Sequence, residues 1–170
     1  PHAHATFTHL ETALAAAQPE VRAVLTAADI PGVNQISTMA HDELLLADGE
    51  VHCVGEPVAL VVADSADAAW RAAQLVTADW VEQTAIVDAR DAFASGDVLT
   101  PPRTFASGDV DTAWADCALV VTGCLNLGAQ EHAYLETQSA LAIPRDDGGL
   151  LVHSATQSPS ATQRAVATVT

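Results

Sequence analysis

One short duplication limits how this chain can fold. Phe93-Ala94-Ser95-Gly96-Asp97-Val98 is followed closely by Phe105-Ala106-Ser107-Gly108-Asp109-Val110, with Pro101-Pro102 between the copies. Two copies are too few for a solenoid, which needs repeats stacked on repeats. Paired prolines have no N–H to donate, so neither a helix nor a ladder crosses them easily. The stretch therefore predicts a linker. It divides the 170 residues, enough for one large domain or two small ones, into parts 1–95 and 113–170 joined by 96–112.

The first part alternates strands and helices. Pro1-His2-Ala3-His4-Ala5-Thr6-Phe7 predicts a strand with His2 and His4 on one face and His9 nearby. Such a cluster either binds a metal or stands exposed on a terminal strand. A helix is expected over 10–17, a buried strand over 21–26 and a turn of helix over 27–30, stopped by Pro31-Gly32. Residues 34–50, with His41 among them, have no period and predict a long loop. Two strands, 51–54 and 57–62, are expected around a Gly55-Glu56 turn, where Glu56 is either a catalytic acid or a solvated carboxylate. Asp64-Ser65 caps a helix over 66–76 whose buried stripe holds Ala69, Ala72, Ala73 and Val76. A strand over 76–82 and a helix over 88–93 complete an α/β module.

The second part predicts a helix over 111–116, a strand over 118–126, a strand from 135 to 143, and a strand over 150–154 reached through the Asp146-Asp147-Gly148-Gly149 turn. A last helix begins at Ser158-Pro159, with proline in its first turn. The chain lacks an initial Met and stops inside that helix at Thr170, which predicts a trimmed product or a fragment. The whole is α/β plus α+β.

Charge and cysteine usage exclude several functions. Acidic residues outnumber basic ones 22 to 6, for a net charge of −16, which repels phosphate backbones and argues against nucleic acid. No apolar run reaches the roughly 18 residues of a membrane span, and no signal-peptide pattern opens the chain. Cys53, Cys117 and Cys124 match no zinc or thioredoxin spacing and read as reduced cytosolic core residues.

The densest chemistry lies in Gly128-Ala129-Gln130-Glu131-His132-Ala133-Tyr134-Leu135-Glu136-Thr137-Gln138. Small residues precede an amide, two carboxylates, an imidazole and a phenol. The pattern reads as a tight turn feeding a strand, a suitable place for a site on a rigid element. A metal held by His132 with Glu131 and Glu136 would need a spacing that fits no zincin pattern.

This stretch resembles the Gly-Gln-Glu-His-Phe-Tyr-Leu-Glu-Thr motif in the molybdenum-binding subunit of the xanthine dehydrogenase and aldehyde oxidase family. Val21-Arg22-Ala23-Val24-Leu25-Thr26-Ala27-Ala28-Asp29-Ile30-Pro31-Gly32 resembles that family's N-terminal hammerhead module. Val54-Gly55-Glu56-Pro57-Val58-Ala59 is similar to its Val-Gly-Gln-Pro-Val-Ala turn, and Gly108-Asp109 and Thr156-Gln157 also match in order. The chain departs from the motifs at Glu56, Ala129 and Ala133.

The resemblance implies a hammerhead-like module over 1–95, a linker over 96–112 and the start of a molybdopterin-binding domain over 113–170. It implies a molybdenum-pterin cofactor in the intact protein, with the metal held by the pterin and by no protein ligand. Gln130 would donate a hydrogen bond to an oxygen ligand of the metal, a task that suits a neutral amide with two donors. Gly128, Glu131 and His132 would support it, and Glu136 would help brace the turn. No catalytic residue is expected within these residues, because the family's base glutamate and glycine-rich loop lie farther along, so the fragment alone is expected to be inactive.

The implied reaction is hydroxylation of a purine with water as oxygen source, as in xanthine dehydrogenase, with electrons leaving through [2Fe-2S] clusters to FAD on a partner subunit or domain. The alternatives are aldehyde, N-heterocycle or carbon monoxide oxidation by the same chemistry, or a non-catalytic scaffold or degenerate fragment. The implied setting is cytoplasmic. The implied partners are the iron-sulfur/FAD subunit or domain, the remainder of the molybdenum domain and a small-molecule substrate, in an oligomer when intact.

Overall fold

The computed structural model describes residues 2–37, 42–98 and 100–170. His41, predicted in the long loop, lies outside the described residues. The chain divides into two units, Pro1–Ala85 with Gln138–Thr170, and Ile86–Thr137.

In the first unit, β1 (Ala5–Glu11) lies between β3 (Glu50–Val51) and β5 (Thr77–Glu82) in an antiparallel sheet. The predicted alternation is present, but the strand starts at Ala5 and runs to Glu11. The helix expected over 10–17 is thereby reduced to α1 (Ala13–Ala16). Side chains of a strand alternate between faces. Ala5 and Val51, paired in register, are buried with Ala47 on one face, and Phe7, Val58 and Trp80 pack against them. Phe7 stands opposite Trp80 with ring centroids 5.1 Å apart, edge to face, a geometry worth roughly 0.5–1.5 kcal/mol beyond burial.

The β1–β5 register slips between Phe7 and Leu10, so that Thr8 and His9 oppose Asp79. Such a bulge leaves ladder donors unpaired. Asp79 takes them itself: Oδ1 accepts from the N–H groups of Thr8 (3.1 Å) and His9 (2.7 Å), and Oδ2 from the Thr8 hydroxyl (2.6 Å). These bonds, led by the Thr8 hydroxyl, hold the Asp79 carboxyl below its ordinary pKa.

A second antiparallel pair joins β2 (Val21–Leu25) to β4 (Leu60–Ala63). β2 is half-buried, where the sequence predicts full burial. Its own bulge falls between Val21 and Ala23, and the intervening Arg22 grips Asp64 with two bonds of 2.7 and 2.8 Å. The predicted 51–54/57–62 hairpin does not form. β3 pairs with β1 and β4 with β2, because non-local partners take both edges.

Ser65 Oγ accepts from Ala68 N–H and caps α2 (Ala66–Ala73) as predicted. The buried stripe is turned by one residue from the prediction: Ala68 and Ala72 are buried, Ala69 and Val76 half-buried, and Ala73 exposed. In so alanine-rich a helix the sequence carries little phase information. The 3-10 turn at Ala27–Asp29 matches expectation, with Asp29 Oδ2 reaching back to the Thr26 N–H at 2.8 Å.

The loop before β3 is irregular, yet tied down by Asn34. Its Oδ1 accepts from the N–H groups of Leu45 and Leu46, both at 3.0 Å, and its Nδ2 donates to the Leu46 carbonyl at 2.7 Å. Leu46 and Ala47 are thereby held in the interior.

β6 (Ala140–Pro144) and β7 (Leu150–Ser154) form the predicted hairpin, with Gly148 left-handed at φ 80° in its turn. α5 (Pro159–Val169) follows, with proline in its first turn. Its last carbonyls are received by backbone: Gly32 N–H donates to Val169 O (3.1 Å) and Val33 N–H to Thr168 O (2.7 Å). These bonds satisfy acceptors that a helix end leaves orphaned. A Cβ at Gly32 would overlap the Thr168 carbonyl oxygen.

The second unit holds α3 (Ala89–Ser95) and α4 (Val110–Ala115). The duplicated hexapeptide does two different jobs there. Gly96 ends α3 in the left-handed region, whereas Asp109 begins α4 by accepting from Thr112 N–H (3.2 Å) and its hydroxyl (2.6 Å). The strand predicted over 118–126 is not formed. Among the described residues, no backbone-to-backbone hydrogen bond ties 118–138, and a strand without a neighbour has no ladder. The strand expected from 135 begins only at Ala140, where β7 supplies a partner. The three cysteines are free but exposed, not in the core.

Candidate functional site

The run from Gly128 to Gln138 is exposed and lacks regular secondary structure. Its turn is made by Ala133, at φ 50°, the left-handed region that a Cβ disfavours. Glu131 Oε1 accepts from the Ala133 N–H at 3.3 Å, so the carboxylate folds onto the turn it precedes. Gln130, His132 and Glu136 have no hydrogen-bond partner among the described residues. Nothing lies within 4 Å of the place a Gly128 Cβ would take, so this backbone is open to close approach.

Upstream, Arg90 on α3 donates from Nη2 to Asn126 Oδ1 at 2.8 Å and anchors the approach to the run. The sequence gives no sign of this contact, which spans a stretch without periodic pattern. Apolar side chains on the same approach point outward, with Leu119, Val121, Leu125 and Leu127 each about four-fifths exposed.

The N-terminal histidines separate. His9 faces Glu11 at 3.6 Å, and His2 lies 4.0 Å from Glu82. His4 instead meets Glu50 at 2.8 Å, with His52 beside it, rings 5.7 Å apart. The bond from His4, with a smaller contribution from nearby His52, holds the Glu50 carboxyl below its ordinary pKa. Glu56, half-buried, accepts from the His52 N–H at 2.6 Å and braces its turn. Among the described residues, no helix is long and apolar enough to cross a membrane.

Comparison with known proteins covers the chain in two consecutive blocks. Residues 1–84 match the family model of the aldehyde oxidase and xanthine dehydrogenase a/b hammerhead domain, and residues 94–170 that of the molybdopterin cofactor-binding domain. A xanthine dehydrogenase of Dictyostelium discoideum is 33% identical over 98% of this chain and 12% of its own length. Aldehyde oxidase 4 of Cavia porcellus is 37% identical over the same shares, 98% and 12%. Among solved structures, quinoline 2-oxidoreductase from Pseudomonas putida 86 superposes with a TM-score of 0.79 at 29% identity, covering 99% of this chain and 24% of that one. The chain thus spans about an eighth of the length of these curated relatives.

Proposed function

The chain belongs to the aldehyde oxidase and xanthine dehydrogenase family, with a hammerhead domain followed by the start of a molybdopterin-binding domain, and from that premise we propose that it forms part of a molybdenum hydroxylase of the xanthine dehydrogenase type, acting on a purine. The observation that carries this reading is the position of Gln130. It lies in the segment matched by the cofactor-binding model, on an exposed run, with its amide donors unclaimed among the described residues. Residues 1–95 are then the hammerhead-like module, 96–112 the linker and 113–170 the opening of the cofactor domain.

The residues present fit the cofactor. The backbone at Gly128 is open, the Gln130 amide is free to donate, and no metal-ligating set is needed from the protein because a pterin carries the metal. The bound group supplies hydroxylation with water as oxygen source. Gln130 positions it by hydrogen bonding, and a neutral amide does so without exchanging a proton. Glu131 keeps the left-handed turn at Ala133 closed; the supporting parts assigned to Gly128 and His132 rest on their place in the motif beside Gln130, since neither makes a hydrogen bond among the described residues. The base glutamate, the [2Fe-2S] clusters and the FAD are assigned to the rest of the protein and a partner subunit or domain, in a cytoplasmic oligomer.

The test is molybdenum content and dye reduction in the full-length protein. Stoichiometric molybdenum with reduction driven by xanthine or hypoxanthine is expected. Turnover of aldehydes or quinoline with none of purines would replace the substrate class, and a molybdenum-free protein with no oxidase activity would overturn the reading.

A further inference from the structure

We propose that His4, Glu50 and His52 form a binding site for a divalent metal ion of the zinc class, separate from the Gln130 run. The register builds the trio. Ala5 pairs with Val51 and Thr6 with Glu50, so the same antiparallel step sets His4 opposite His52, just past the end of the ladder. Glu50 is the diagonal neighbour of His4 on the same face. Ala5 and Val51 point the other way into the core, and their burial fixes the face on which the trio stands.

The donor atoms of all three side chains lie within 4.8 Å of one another. Donors about 2.1 Å from a tetrahedral zinc ion stand about 3.4 Å apart. The 2.8 Å contact between His4 Nε2 and Glu50 is a hydrogen bond, shorter than that spacing, so an ion entering here displaces the bridging proton and parts the two donors slightly. The remaining gap closes by rotation of His52, which is exposed.

The ring of His4 is also oriented from behind. Its Nδ1 lies 3.0 Å from the Thr84 carbonyl oxygen, which can only accept. Nδ1 therefore carries a hydrogen, and Nε2 is the nitrogen turned toward Glu50. A metal-ligating histidine is commonly held this way, its second nitrogen donating to a carbonyl. Two imidazoles and one carboxylate favour zinc and its late first-row neighbours over magnesium and calcium. A bound ion would clamp the start of β1 to the end of β3.

The experiment is equilibrium dialysis of the full-length protein against zinc, with elemental analysis of what is retained. One zinc equivalent that excess magnesium does not displace is expected. It should be lost in His52→Ala and in Glu50→Gln and kept in His9→Ala and Cys53→Ser. Each ligand substitution should weaken zinc binding by more than about 100-fold, since loss of an outer partner alone costs roughly 10–100-fold. Either ligand variant retaining zinc like the parent, zinc lost with Cys53→Ser, or no zinc retained at all would overturn the assignment.

Discussion

Asn34→Ala should loosen the segment that carries Leu46 and Ala47 into the core. The substitution removes three hydrogen bonds at once: two accepted from the Leu45 and Leu46 N–H groups and one donated to the Leu46 carbonyl. Each is worth a net 0.5–1.5 kcal/mol in typical cases, so the local loss is about 1.5–4.5 kcal/mol. At about 1.4 kcal/mol per factor of ten, the Leu45 and Leu46 amides should exchange roughly 10- to 1,000-fold faster.

Hydrogen exchange read by mass spectrometry on the full-length protein measures this directly, without requiring two-state unfolding. Asn34→Asp is the informative companion. It keeps both acceptor bonds but sets a carboxylate oxygen against the Leu46 carbonyl. The two amides should therefore stay closer to parental protection than in Asn34→Ala. Unchanged exchange in Asn34→Ala, or equal loss in both variants, would refute the assignment of Asn34 as the tie.

Two further outcomes are expected. The Asp79 carboxyl, depressed in the folded state, stabilises the β1 bulge above its ordinary unfolded pKa of about 3.9 and loses that contribution as pH falls through its lower folded value. Thr8 and His9 amides should keep their protection at neutral pH, after correction for intrinsic exchange, and lose it only below about pH 4; loss well above that pH would contradict the role of Asp79. The isolated 170-residue chain should bind no molybdenum and should self-associate through exposed side chains such as Leu119, Val121 and Leu125; a molybdenum-loaded monomer by light scattering and elemental analysis would contradict both.

Local chemistry was legible where it is local. The Ser65 cap, the proline at the start of α5, the hairpin turn at Gly148 and the alternation about Ala5 and Phe7 can each be read from a few adjacent residues. What the sequence concealed depends on distant partners. Residues 51–62 look like a hairpin, and nothing within them says that Val51 will pair with Ala5 and Leu60 with Leu25. Apolar residues over 118–126 look like a strand, but a ladder needs a neighbour that the pattern cannot supply.

The same holds for the sites. His2, His4 and His9 suggest a cluster by proximity in sequence, whereas the register brings His4 to Glu50 and His52 and leaves the others apart. Gln130 stands out only through family resemblance, since an exposed glutamine carries no signal of its own. Asp79 and Asn34 carry no signal in the sequence because each serves backbone groups that become unpaired only after the bulge or loop has formed.

The role proposed for Gln130 is tested most directly by comparing Gln130→Ala with Glu131→Gln in the full-length protein, each variant checked for molybdenum content before turnover is measured. Gln130→Ala should keep its molybdenum and lose roughly 10–100-fold in turnover, the usual cost of removing an outer hydrogen-bond partner, or about 1.4–2.7 kcal/mol of barrier. Glu131→Gln should turn over nearly as the parent does, because an amide oxygen can still accept from the Ala133 N–H. Parental turnover in fully loaded Gln130→Ala, with turnover abolished in fully loaded Glu131→Gln, would contradict that role and move the cofactor contact to the carboxylate.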